Sequence, residues 1–331
     1  MNSFLQRLKS ITSVLLSPEL DYTAVRNSCT ALYDIFSSVS AFKANAPEMQ
    51  THISTASGLA VSPYAAAFCI SDIMRTKKFL QGIEEAVYAK LRENPGRPVK
   101  IFYAGCGPFA TLLTPLTTVF SPAQMQMVLL DINPLSHEYL QRIIRGFELE
   151  NYILGIEVTD ALQYTIPALY KPDILVSETM KPALAKEPQV SLISHLLSQC
   201  DTRTIVIPES IRIDVCLLGN TVNNPAAIQT LKTLMKFDAA LATQINQHPG
   251  KTDVLTNGIT VIINDRPPEK FSRLVLNTHI NIYGDHQLDS YDSSLTLPVP
   301  VMDIAAIKKY PARLLFHYRI SDNPGFTVRE L

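Results

Sequence analysis

The chain of 331 residues has no tryptophan, only 12 glycines, and 5 cysteines without a single Cys-x-x-Cys pair. Cys29, Cys69, Cys106, Cys200 and Cys216 are odd in number and widely scattered. That pattern argues against a disulfide framework or a thiolate zinc site, and for the reduced thiols of a cytoplasmic protein. Charge is scarce as well: Asp, Glu, Lys and Arg make up 18%, against about 25% in an average soluble domain. The 29 basic and 30 acidic residues leave a formal net charge of -1 and no basic block. General nucleic-acid binding by phosphate neutralisation is therefore not expected. No apolar run reaches the roughly 18 residues of a membrane span, and the opening MNSFLQRLKSITSVLLSPELD lacks the apolar core and cleavage site of a secretory leader.

What is present is 47% hydrophobic residues in a chain long enough for a sizeable core and two domains. The low charged fraction points to extra buried surface, as between the subunits of a homodimer. Residues 1–58 read as a helical segment, with Leu5, Leu8, Ile11, Leu15 and later Leu32, Tyr33, Ile35 and Phe36 on helical stripes, ending in a linker with Pro47 and Thr55-Ala56-Ser57-Gly58. Residues 62–95 form a further helical region, opened by Ser62-Pro63 as cap and first turn.

From 99 onward the period changes. Strands are predicted at 99–105, 125–131, 153–160, 172–178 and 202–209, with helices from about 109, at 135–151 and at 190–200. This alternation, with nearly continuous apolar strands, predicts an α/β domain over 59–208 built on a parallel, doubly wound sheet. Beyond it, strands at 211–219, 258–265, 271–284, 293–301 and 312–320 are interrupted by one helix at 226–247. They predict an antiparallel sheet or small barrel over 209–331.

Candidate chemistry gathers at the strand ends. Ala104-Gly105-Cys106-Gly107-Pro108 closes the first strand, where small residues let the backbone turn tightly against a ligand. The third glycine of the dinucleotide pattern is replaced by Ala110, and no Lys-Ser/Thr follows, which excludes a phosphate-binding P-loop. Asp131 ends the second strand, placed either to accept ribose hydroxyls or to cap the next helix. Asp160 and Ala161 end the third, where an adenine edge would lie. The order favours S-adenosyl-L-methionine over NAD. Glu178 follows the fourth strand and Glu187 lies nine positions later, a spacing that lets a turn return both carboxylates to one place. Two such carboxylates need a cation between them. A planar guanidinium is the best match. A divalent metal or a solvated Glu187 are the alternatives, though no cluster of Asp, His or Glu at metal-ligand spacing lies nearby.

With Asp72-Ile73-Met74-Arg75-Thr76-Lys77-Lys78-Phe79, these motifs resemble the protein arginine N-methyltransferase family of class I S-adenosylmethionine-dependent methyltransferases. The resemblance implies a Rossmann-like methyltransferase sheet followed by an antiparallel β-barrel-like domain, with the N-terminal helical segment as an addition. It implies that Arg75 contacts the methionine carboxylate of the cofactor and that Asp131 holds its ribose beside Gly105 and Gly107. Ser177 to Glu187 looks like the family's double-glutamate loop, which clamps the substrate guanidinium. The region 226–247 falls where the family often inserts a dimerisation arm, and Phe316 to Ile320 with Pro324-Gly325 looks like its last barrel strand. Two departures bear on the substrate. Thr179-Met180-Lys181 stands where the family has Trp-Met-Gly, and Thr278-His279-Ile280 only partly echoes its Thr-His-Trp loop. The expected substrate is therefore free arginine or another small guanidino compound. The alternatives are a protein arginine or a small molecule methylated on a nitrogen or oxygen outside a guanidine.

Overall fold

The computed structural model describes residues 3–219, 227–248, 252–255 and 257–331. It opens with two helices, α1 (Ser3–Leu16) and α2 (Tyr22–Ser40). The Asp21 carboxylate accepts the N–H groups of Thr23 and Ala24 and so starts α2. The stripes bury Leu8, Leu15, Leu32, Ile35 and Phe36 completely. The stretch expected to be a linker instead forms a hairpin, β1 (Ile53–Thr55) and β2 (Gly58–Ala60), turning at Ala56-Ser57. The helical region after it is two helices, α3 (Pro63–Phe68) and α4 (Ile73–Glu93), separated by a single 3-10 turn at Cys69–Ser71.

Lys77 on α4 is fully buried. Its Nζ donates to the carbonyls of Leu15 and Ser17, and the Gln81 amide donates to Ser17 at 2.8 Å. These two side chains satisfy carbonyls that the end of α1 leaves without intrahelical partners. Burial lowers the Lys77 pKa, with the nearby Lys78 charge acting in the same direction.

The strands β3 (Val99–Ala104), β4 (Met125–Asp131), β5 (Ile153–Val158), β6 (Ile174–Ser177) and β7 (Ile205–Ile207) form a parallel sheet in the order β5-β4-β3-β6-β7. This is a Rossmann-type sheet. Its central strands are apolar on both faces, as a sheet covered on both sides requires. Helices α5 (Pro134–Gly146) and α6 (Gln189–Leu197) follow β4 and β6. The order reverses at β3, so the carboxyl ends of β3, β4 and β6 flank the crevice where such sheets take ligands.

The helix expected from about 109 is absent. Ala110 takes a left-handed φ of 44°, Pro115 interrupts it, and only a 3-10 turn forms at Thr114–Thr118. The added N-terminal helices occupy that ground. The Thr12 hydroxyl on α1 reaches the Pro115 carbonyl at 3.4 Å. Phe109 packs against Phe36 and Phe42 with ring centroids 5.5 and 5.0 Å apart.

The remaining elements are β8 (Ser210–Gly219), β9 (Ile228–Asp238), α7 (Ala239–Asn246), β10 (Ile259–Ile263), β11 (Phe271–Tyr283), β12 (His286–Leu288), β13 (Val299–Asp303), β14 (Ala312–Arg319) and β15 (Gly325–Glu330). They make two antiparallel sheets, β12-β11-β8-β9 with β13 also on β11, and β10-β14-β15, which together form a barrel-like extension. The predicted helix at 226–247 is corrected here. Its expected first residue, 226, lies outside the described residues, and the rest is a long strand followed by the short α7. Two bulges shift the register of β9 against β8: Leu234 is the extra residue opposite the step from Ile213 to Asp214, and Leu231 the one opposite the step from Val215 to Cys216. They break the two-residue alternation that would have marked a strand, leaving Ile228, Leu231 and Leu234 at a helix-like spacing of three. The stretch predicted as a strand at 293–301 starts instead as a 3-10 turn at Ser294–Thr296, before β13. Among the described residues, no helix is long and apolar enough to cross a membrane.

Candidate functional site

A cavity of about 390 Å³ opens at the carboxyl ends of β3, β4 and β6, within the range of small-molecule sites. Arg75, Gly105, Gly107, Asp131, Asp160, Ala161, Glu178 and Glu187, the residues singled out in the sequence, all line it.

Gly105 and Gly107 adopt φ of 73° and 64°, the left-handed region that favours glycine. A Cβ on Gly105 would lie 2.5 Å from Cγ2 of Thr179. Asp131 fixes this turn: its Oδ2 accepts the Gly107 N–H and its Oδ1 the Asn133 N–H, both at 2.8 Å. The helix-capping alternative for Asp131 belongs instead to Asn133, whose side chain accepts the Leu135 N–H at 3.0 Å. Burial raises the Asp131 pKa, and the two N–H groups oppose it. Asp160 accepts the Leu162 N–H at 3.0 Å, holding the turn that presents Ala161. Replacing Gly105 with alanine combines a left-handed conformation with the Thr179 clash. We expect about 1–2 kcal/mol of destabilisation from the backbone alone, seen as a lower melting temperature; an unchanged melt would show that the turn tolerates a side chain.

Arg75 sits in the first turn of α4, whose cap is Asp72. The Asp72 Oδ2 also accepts from Ser293 Oγ (2.7 Å) and from the N–H (2.8 Å) and Oγ (2.6 Å) of Ser294. That carboxylate draws the 293–296 turn of the antiparallel half toward the cavity, which Ser294 and Leu295 help to line. Arg75 forms an ion pair with Oε2 of Glu178, whose side chain is 4% exposed. Glu178 Oε1 is buried with no hydrogen-bond partner among the described residues. The strand end carrying Glu178 is held by Gln189, which accepts from the N–H and hydroxyl of Thr179, both at 2.9 Å, and donates to the Ser177 carbonyl at 3.0 Å.

Glu187 is the second buried carboxylate. Burial pushes its pKa up to about 7, against the opposing pull of Lys181 and Arg75. Lys181 Nζ lies 3.9 Å from Glu187 Oε1. Between the two glutamates, Ala183, Leu184 and Lys186 take left-handed φ of 57°, 54° and 68°, each costing about 1–2 kcal/mol in a residue other than glycine. The conformation persists because other elements hold it. Thr278 Oγ1 accepts the Ala183 N–H (2.8 Å), Tyr318 donates its hydroxyl to the Leu184 carbonyl (2.8 Å), and Pro324 accepts the Lys186 N–H (2.8 Å). On the opposite side, Leu59 of β2 donates to the Lys186 carbonyl at 2.7 Å.

Four carboxylates, of Asp131, Asp160, Glu178 and Glu187, face two cations, Arg75 and Lys181, in the cavity wall. The surplus of negative charge favours a cationic guest. Among the described residues, no group of three or more His, Cys, Asp or Glu side chains is placed to hold a metal ion. The chain matches no family model and no curated protein. Among solved structures it is similar to the Trypanosoma brucei PRMT1 enzyme-prozyme heterotetrameric complex with AdoHcy, at 13% identity over 79% of this chain and 91% of that chain, with a TM-score of 0.49.

Thr278 and His279 part company in the structure. Thr278 supports the glutamate loop. His279 does not line the cavity and lies between Asp289 Oδ1, 2.9 Å from its Nδ1, and Asp214 Oδ2, 3.4 Å from its Nε2. Thr55, Leu59, Ala60 and Val61 of the hairpin region, and Ser294 and Leu295, line the cavity without having been singled out in the sequence. Their local sequence carries no signal of it, because tertiary packing alone brings them there.

Proposed function

We propose that this protein is an S-adenosylmethionine-dependent N-methyltransferase whose acceptor is the guanidine of a small molecule such as free arginine. The observation that carries the reading is the pair of buried glutamates in one cavity. Glu178 already holds a guanidinium, that of Arg75, and its second oxygen is buried and unpartnered among the described residues. An unsatisfied buried carboxylate oxygen costs about 1–3 kcal/mol or more until a donor reaches it.

The residues present fit the cofactor. Asp131, beside the turn of Gly105 and Gly107, would hold the ribose, Asp160 and Ala161 the adenine edge, and Arg75 the amino-acid carboxylate. The surplus negative charge of the wall suits a sulfonium. When bound, this cofactor supplies an electrophilic methyl group on a positively charged sulfur. The chain's own contribution is orientation and charge. Glu178 and Glu187 hold the guanidinium through paired N–H groups, concentrate its positive charge on that side and leave the remaining nitrogen free to act as nucleophile. Misplacement by about 1 Å can cost roughly 100-fold, which gives the loop's anchoring a catalytic purpose. Glu187, with a pKa near 7, is matched to take up a proton at its carboxylate close to neutral pH.

The test supplies the protein with methyl-labelled S-adenosylmethionine and either free arginine or an arginine-rich peptide, followed by mass spectrometry. Labelled methyl on free arginine alone is the expected result. Label on the peptide alone would move the substrate to proteins, and label on neither would remove the guanidine assignment. One observation favours a non-guanidine acceptor as a second reading: both glutamates already face a cation of the chain itself, Arg75 and Lys181.

A further inference from the structure

We propose that Lys181 is a specificity residue that binds a carboxylate of the substrate, so that the cavity selects a guanidino acid over a guanidine lacking an acidic group. The proposal rests on the guanidine reading above and adds the other end of the molecule.

The ammonium of Lys181 stands 3.9 Å from Glu187 Oε1, too far for a hydrogen bond. Its side chain is 43% exposed and that of Glu187 only 8%, so the cation lies between the buried carboxylate and solvent. Among the described residues, its Nζ has no hydrogen-bond acceptor, and its three donors stay available to a ligand. The backbone that carries it is fixed although the head is free. Lys181 precedes Pro182, its carbonyl accepts the Leu184 N–H at 3.0 Å, and the next residue, Ala183, is tied to Thr278.

A guanidinium entering between Glu178 and Glu187 meets Lys181 as a like charge. The two positive charges repel, which weakens the binding of a cation that brings no partner for the ammonium. A bare guanidine, or an arginine inside a peptide, has nothing to set against it. A guanidino acid does: its carboxylate, at the far end of a short flexible chain, gives the ammonium a partner as Glu187 passes to the guanidinium. The same lysine thus attracts one class of guanidine and repels the other, which is how specificity differs from affinity.

The experiment compares arginine with agmatine, the same guanidine without the carboxylate, by calorimetric titration in the presence of S-adenosylhomocysteine, for the wild-type protein and Lys181→Gln. In the wild type, arginine should bind at least about 10-fold more tightly than agmatine, the scale of one charge-assisted contact. In Lys181→Gln the two affinities should move in opposite directions, arginine weakening and agmatine strengthening, until they nearly meet. Equal wild-type affinities, or a parallel loss of both in the variant, would overturn the role of Lys181 while leaving the guanidine reading standing. If neither compound binds, the guanidine reading fails and this proposal falls with it.

Discussion

Glu187→Gln should lose guanidine methylation and, at about pH 8, gain thermal stability. The two effects have one origin. Burial raises this carboxyl from 4.5 to about 7 in the folded protein, so the folded state holds the proton more tightly than the unfolded chain. Between about pH 4.5 and 7 the folded state therefore binds more protons, and stability falls as the pH rises. Above about pH 7 the full cost of the buried charge is present, roughly 3 kcal/mol at 1.36 kcal/mol per pKa unit. Glutamine never ionises, so the difference in melting temperature between variant and wild type should grow from near zero at about pH 4.5 to a plateau above about pH 7. A difference independent of pH would sink the burial account. The expected loss of turnover is on the order of 100- to 1,000-fold, the scale of removing one preorganised charge-stabilising group. Wild-type turnover in the variant would sink the clamp.

Deleting residues 1–46 should leave no cooperatively folded protein. Leu8, Leu15, Leu32, Ile35 and Phe36 are each fully buried, and full burial of such a side chain is worth about 1.5–3 kcal/mol. Five of them come to roughly 8–15 kcal/mol, comparable with the whole net stability of an ordinary domain. The deletion also takes away the carbonyls that receive Lys77, leaving a buried ammonium unpaired, and strips Phe109 in a crossover that has no helix of its own. Expression of the shortened chain should give insoluble material or a broad, non-cooperative melt. A soluble product with the wild-type transition would show that the two helices are an appendage instead of part of the core.

The parallel sheet is legible in the sequence because buried parallel strands need no alternation: MQMVLLD and ILVS are apolar runs bounded by strand-ending polar residues. The cavity is legible for the same reason, since in such a sheet the residues just after the strands share one crevice, and Asp131, Asp160 and Glu178 each stand there. Glu187 is legible only through its spacing from Glu178. Other features have no local signature. The strand Ile228–Asp238 is disguised by two bulges of its own, at Leu231 and Leu234, which form only against the neighbouring strand. The hairpin at 53–60 gains its place by pairing with Lys186, far along the chain. Lys77 reads as an ordinary helix-surface charge until α1 is folded against it.

The glutamate loop belongs by chain order to the parallel sheet, yet Thr278, Tyr318 and Pro324 of the antiparallel half hold its backbone. None of these three lines the cavity. Drift at such positions is therefore filtered by the tolerance of a reaction they never touch. A lineage under pressure to accept a new substrate has two routes: exchanging the residues in the wall, or altering these distant supports and letting the carboxylates shift together as one body.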